Sequence, residues 1–362
     1  MDLRLPFTAL TAILAFLFFL AVLDQWRTRR HAFQLAWALG MLWFSIGAAC
    51  EAIGAAAGWN TTIYRTWYLT GAVGTAGWLG LGTAFLLGKT RFGYAFALAL
   101  FLAGLFTFLT QQRQQYPDAG IAPILYFAAA GILAVAIAVE TWFASPRWPL
   151  LAAVAVVGTS LLALVMTVTV ALPAPGYAVD PATGVPTAAI MPGYLRLLTP
   201  FMNITGAFSL GFGALFSVYV FMPKKRVLAY SLDPAQKGDV FLFNLLVSPV
   251  AFTVNFCASI PGAFRAARAG RMTSRVPATI LIAIGAFIPA VTDSLNRFGS
   301  TQLYGLGKLL AVVFLFAGFL VSVDVFTELR VPFTRIVLRR RRAEPQPDDA
   351  GSGPGREGLA PR

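Results

Sequence analysis

Apolar runs separated by short charged or polar junctions fill the chain from near its first residues to about Phe326. They lie at Phe7 to Leu23, Ala32 to Ala57, Tyr64 to Gly88, Phe92 to Thr110, Ile121 to Ala144, Trp148 to Leu172 and within Arg196 to Arg226. Three more follow at Val240 to Phe264, Val276 to Thr292 and Leu303 to Phe326. Runs of roughly 17–25 apolar residues suit bilayer-crossing helices, because a helix satisfies its backbone polar groups internally. The short alternating segments of a membrane barrel do not occur. The pattern therefore predicts an all-α, polytopic transmembrane helical bundle.

The junctions differ in charge in a regular way. Arg27, Arg29 and Arg30 follow the first run, Lys89 and Arg91 the third, Arg147 the fifth, and Lys224, Lys225 and Arg226 the seventh. The intervening junctions are poor in basic residues, including the polar QQRQQYPDAG and the Pro- and Gly-rich ALPAPGYAVDPATGVPTAAIMPGY. The positive-inside rule then places the N-terminus outside and the C-terminus in the cytoplasm. No small-x-small cleavage site follows the first run, so that helix is expected to be retained.

Val240 to Phe264 disturbs the alternation. Lys237 precedes it, and Arg265, Arg268, Arg271 and Arg275 follow it, so a full crossing would put the second cluster outside. Pro249, Asn255 and Pro261 interrupt the run. A broken or re-entrant segment that returns to the basic side is expected, leaving about nine spans. Three parts result: a seven-helix membrane bundle over 1–226, the re-entrant segment with two further transmembrane helices over 227–338, and a disordered basic-then-polar cytoplasmic tail over 339–362.

Composition sharpens this picture. Hydrophobic residues make up 58% and charged residues 12%, against ~25% charged in soluble domains. The net charge of +13 sits in the junctions, so it marks a membrane face and not a nucleic-acid surface. Anionic lipid headgroups are the expected partner of that face, at ~1 kcal/mol per Lys or Arg. A protein partner in the membrane or cytoplasm is compatible with it. The expected location is the cell (inner or plasma) membrane. Cys50 and Cys257 lie in apolar runs, and His31 is the one histidine, so no disulfide framework, multi-histidine metal site or bis-histidine haem is expected, and no cofactor is called for.

Charges inside apolar runs carry the best chemical clues, since each costs ~2.5–3.5 kcal/mol or more at the bilayer centre. Glu51 lies six residues from the outer end of the second run, ~9 Å deep at helical rise. Lys308 and Asn203 lie at similar depth in the last and seventh runs. Snorkelling of each long chain to its own interface is the simpler reading. Their shared depth also allows a polar layer, with Glu51 and Lys308 as an ion pair or ligand clamp. Asp324 and Glu328 are four apart and would share a helical face near the cytoplasmic end. A salt-bridge cluster with Arg330 and Arg335 is the simpler reading there, and a proton or ion relay the sharper one. Asp24 with Arg27, and Asp293 with Arg297, read as interfacial pairs. Trp59, Tyr64, Trp67 and Tyr68 read as an aromatic belt.

Small residues recur every fourth position at Thr205, Ser209, Gly213 and Ser217, and at Ala72, Ala76, Gly80, Ala84 and Gly88, which favours close helix packing. Arg65 and Leu79-Gly80-Leu81-Gly82 echo Arg196 and Leu210-Gly211-Phe212-Gly213. That echo suits either a parallel three-plus-one-plus-three repeat or two compositionally similar helices.

The segments RTRR, LAWALGMLWFSIGAACEAIG and YRTWYLTGAVGTAGWLGLGTAFLL resemble the start of bacterial seven-helix sensor regions found ahead of histidine kinases. The resemblance covers about the first seven runs. It implies that architecture and an outer-facing pocket for a small or lipophilic ligand, and it transfers no functional residue. Further membrane runs follow here in place of a kinase. The leading expectation is a sensor-like or small-ligand-binding membrane protein without its own output enzyme. A secondary transporter or channel using the intramembrane charges is the alternative, and a membrane subunit of a larger complex the second. An enzyme ranks last, its one open form being a carboxylate-using lipid enzyme.

Overall fold

The computed structural model describes residues 4–181, 184–225, 227–228, 241–269, 275–297, 304–321, 328–330, 333–334 and 337–340, with backbone alone at 4, 241–249, 267, 275, 290–297, 328–330 and 337–340. Ten helices organise it: α1 (Arg4–Arg29), α2 (Ala32–Ala57), α3 (Thr61–Leu86), α4 (Phe92–Gln114), α5 (Ala122–Trp142), α6 (Trp148–Thr169), α7 (Gly193–Phe221), α8 (Phe241–Arg268), α9 (Arg275–Arg297) and α10 (Tyr304–Val321). Among the described residues, eight of them, all but α8 and α9, are long and apolar enough to cross a membrane. A short antiparallel hairpin, β1 (Glu328–Arg330) with β2 (Val337–Arg340), follows α10. The protein is thus an all-α polytopic membrane bundle.

The ends of the helices are set locally. Gly58 adopts φ +88° and stops α2, and the Asn60 side chain accepts from Ile63 N–H at 2.9 Å to start α3. A side-chain oxygen there satisfies a donor that the first helical turn leaves open. Pro123 and Pro149 sit in the first turns of α5 and α6, where a missing N–H costs nothing.

Side-chain contacts fix direction. Ser45 of α2 reaches the Ala12 carbonyl of α1, and Trp37 of α2 meets Phe319 of α10, so α2 is antiparallel to both. Phe18 of α1 stacks on Phe316 and meets Phe319 edge-on, while Phe7 lies beside Gly305, which makes α1 and α10 parallel. Val276 packs with Val218, Tyr219 and Met222 while Phe287 lies against Gly211, so α9 is antiparallel to α7 along its length. Two packed regions result. One joins α2 to α7 around Tyr68, Phe96, Trp148 and Phe201. The other joins Phe18, Trp37, Leu210, Val312 and Phe319, so the chain beyond residue 226 shares a core with its beginning.

The same directions decide the disputed segment. α7 ends, and α9 begins, at one face of the bundle, so whatever lies between starts and finishes on that face. Among the described residues, eight helices are long and apolar enough to cross, and α9 runs antiparallel to α7 beside them. The segment is not broken, however. α8 is helical throughout its 28 residues, with Pro249 and Pro261 inside it. Asn255, an apparent interruption in sequence, is fully buried. Its Oδ1 accepts from the Val227 and Leu228 N–H groups at 2.8 and 2.9 Å, and its Nδ2 donates to the Leu228 carbonyl at 2.9 Å. Ser259 Oγ accepts from Lys225 N–H at 2.8 Å. These polar residues hold a loop and do not end a helix.

α3 and α7 run parallel and touch along their glycines. A β-carbon added at Gly206 would lie 2.0 Å from the Ala76 carbonyl oxygen, and one at Gly80 would lie 2.7 Å from Gly206 Cα. The small-residue stripes thus let two backbones meet. The echoed glycines do not occupy equivalent places: Gly82 faces Trp37 of α2, whereas Gly213 faces Thr83 of α3. Tyr68–Gly74 within α3 is a π-helical stretch. Its wider turns are satisfied by side chains: Thr70 donates to Thr66, Thr75 to Thr70, and Asn203 to the Ala72 carbonyl at 3.0 Å. π-Turns inside α-helices are often functional, and nothing in the sequence pattern announces this one.

Candidate functional site: a buried ion pair under a pinned loop

Glu51 lies two turns from the end of α2, on the half of the bundle opposite the basic face, with 6% exposure. Lys308 of α10 reaches it, Nζ to Oε1, at 2.5 Å. The Trp67 indole N–H of α3 donates to the same oxygen at 2.8 Å. Tyr304, one turn before Lys308, places its ring 4.2 Å from the ammonium, close enough for cation–π attraction. Three helices from opposite ends of the sequence therefore meet at one carboxylate. Snorkelling does not describe this lysine: its charge turns inward to a partner that is itself buried.

Asn203 does not join this layer. Its amide is committed to the Ala72 carbonyl, so it braces the π-turn against α7. Asp324 lies outside the described residues. Glu328 lies in strand β1 with its side chain undescribed. The side chains of Asp293 and Arg297 lie outside the described residues as well. Asp24 is buried and accepts from the Phe333 N–H at 3.2 Å, while Arg27 sits over the Phe333 ring at 5.2 Å. The turn after β1 is thereby docked on the basic end of α1.

The aromatic residues at the start of α3 are not a lipid belt. Tyr64 and Tyr68 are fully buried, and Trp67 nearly so. The reason is the loop between α6 and α7, which covers them. Tyr64 OH donates to the Thr187 carbonyl, and Tyr68 OH to the Leu195 carbonyl at 3.1 Å, with Thr199 Oγ1 3.0 Å away. Arg65 donates through both terminal nitrogens to the Val168 and Val170 carbonyls at the end of α6, where a cation suits the helix dipole. Asp118 accepts from the Gly193 N–H at 2.9 and 3.0 Å, and Arg196 stacks over Tyr116 at 4.5 Å. The loop is fastened at both ends and in its middle. A cavity of about 240 Å3, lined by Lys89, Thr90, Ser145 and Trp148 among others, opens at the basic end of the bundle instead.

Sequence depth found the pair but missed its company. Tyr304 was available from its spacing of four to Lys308. Trp67 was not, because interface aromatics and buried aromatics look alike in sequence.

The fold and the buried charges define an integral membrane protein with a polar focus inside its bundle. No family, no curated protein and no solved structure matches the chain.

Proposed function

We propose that this is a sensor-like membrane protein that binds a small ligand, with the Glu51–Lys308 pair as its ligand-responsive element. The observation that carries the reading is the buried contact between α2 and α10 at 2.5 Å. Breaking one partner of a buried pair costs ~3–5 kcal/mol, so a ligand that replaces one charge can exchange places with it while a neutral one cannot. A small carboxylate competing with Glu51 for Lys308 is the chemistry that fits. Release of Glu51 would free α10, whose other end leads to the hairpin docked on Asp24 at the basic face. By the positive-inside rule that face is cytoplasmic and is where a partner protein would read the change. The pinned outer loop and the glycine contact between α3 and α7 favour a receptor over a carrier, because alternating access needs such contacts to separate. The likeness of the first three runs to seven-helix sensor regions points the same way.

The test is a thermal-shift screen of small carboxylates on protein in nanodiscs, run beside flux measurements in proteoliposomes. The expected result is a stabilising ligand whose effect is lost in Lys308→Met, with no flux. Flux that depends on Glu51 or Lys308 would replace this reading by a secondary transporter.

A further inference from the structure

From Phe252 to Ala263 α8 advances about 16 Å along its axis, and its described contacts gather on the last two turns of α7, the start of α9 and the loop at Lys225 to Leu228. Phe252 meets Phe216 and Tyr219. Phe252, Phe256 and Ala263 pack on the cluster of Val218, Tyr219, Met222 and Val276. Asn255 and Ser259 hold Val227, Leu228 and Lys225. α8 therefore sits at the basic end of α7 and does not follow it through the bundle.

One face of α8 is spent on these contacts. The other is apolar and uncovered: Val250 is 57% exposed, Val254 37%, Ile260 36% and Phe264 73%, with Cys257 exposed between them. Positions 250, 254, 257, 261 and 264 recur at helical spacing, so this is one continuous stripe. Arg265 and Arg268 follow directly, beside the Lys224–Lys225 loop that α8 clamps. An apolar stripe in water next to a basic cluster is unfavourable, whereas the boundary between acyl chains and anionic headgroups satisfies both.

We propose that α8 is an in-plane helix seated in the leaflet at the basic face, with its Val250–Phe264 stripe at the acyl boundary and Arg265 and Arg268 on the phosphates of anionic phospholipids. The occupant is the protein's own bilayer. Charge complementarity with the basic cluster and the position of the helix at the basic end of α7 single it out over a protein partner. The claim is independent of any ligand at Glu51.

Cys257 is exposed and Cys50 buried, so a thiol label reports on α8 in the full-length protein. A nitroxide or bimane at Cys257, with Cys50→Ala as control, is read in nanodiscs of phosphatidylcholine with and without phosphatidylglycerol. The expected depth is ~5–10 Å into the headgroup and acyl boundary. Brominated phosphatidylglycerol should quench more than brominated phosphatidylcholine at equal mole fraction. Arg265→Gln with Arg268→Gln should erase that preference, about 5-fold per arginine, and Arg265→Lys with Arg268→Lys should keep it. A label as accessible to a water-soluble quencher as a free loop, or one at the bilayer midplane, would overturn the in-plane placement. Equal quenching by both lipids, or a preference that survives the glutamines, would overturn the anionic contact.

Discussion

Replacing Lys308 by methionine leaves Glu51 with 6% exposure and the Trp67 N–H as its described partner. The methionine keeps most of the side-chain volume, so the change isolates charge. A buried carboxylate that loses its counter-ion costs about 3–5 kcal/mol, which is roughly two to nearly four orders of magnitude in the folding equilibrium. Glu51→Gln strands the ammonium in the same way, eased by the Tyr304 ring 4.2 Å away, and should cost somewhat less. The double variant removes both charges and should recover more than half of the summed loss, because the penalty belongs to an unpaired charge and not to the absence of a pair. Unfolding of the four proteins in one detergent or bicelle system, by denaturant or steric trapping, measures the cycle. Two single variants that each cost under about 1 kcal/mol, with an additive double, would show that the pair is solvated and that the reasoning about its burial is wrong.

Four further expectations concern the frame around the pair. Gly206→Val drives a side chain into the Ala76 carbonyl, 2.0 Å from the new β-carbon, and should lower stability by at least the ~1–3 kcal/mol typical of overpacking. Gly131→Ala, where no atom lies within 4 Å of the new carbon, should stabilise by ~0.5–1 kcal/mol in the same unfolding assay. Asn255→Ala removes three hydrogen bonds to Val227 and Leu228, worth about 2–4 kcal/mol together, and should speed hydrogen exchange of those two amides at least ~10-fold. Gln34 is fully buried with neither amide atom partnered, so Gln34→Leu should raise the unfolding free energy by ~1–3 kcal/mol. A loss of stability there would reveal a polar partner for Gln34.

The chain by itself settled what the bilayer enforces. Apolar runs of spanning length and basic residues at alternate junctions follow from hydrocarbon thickness and from the cost of moving cations across it. Both act on one segment at a time, so they can be read without neighbours. That is why a bundle of spanning helices, a segment that starts and ends on one face, and the shared depth of Glu51 and Lys308 were legible. The limits of single-segment reading appear at Asn255 and at Trp67. A polar residue in an apolar run signals a break unless a loop elsewhere needs its amide, and the loop at Val227–Leu228 does. An aromatic residue at a helix end signals an interface unless another segment covers it, and the loop after α6 does.

Tertiary structure decided everything that depends on direction around a helix axis. Depth along α2 and α10 could be counted from residue numbers, but whether Glu51 and Lys308 face one another or face lipid is an angular question. It is answered by how α1, α2 and α10 pack around Phe18, Trp37 and Phe319. The same holds for Asn203, which has the depth of the pair but turns to the Ala72 carbonyl, because a π-turn in a neighbouring helix left that oxygen to be satisfied. Length and charge are properties of a strip of sequence, whereas a polar contact inside a membrane exists only once two strips have chosen the faces they present to each other.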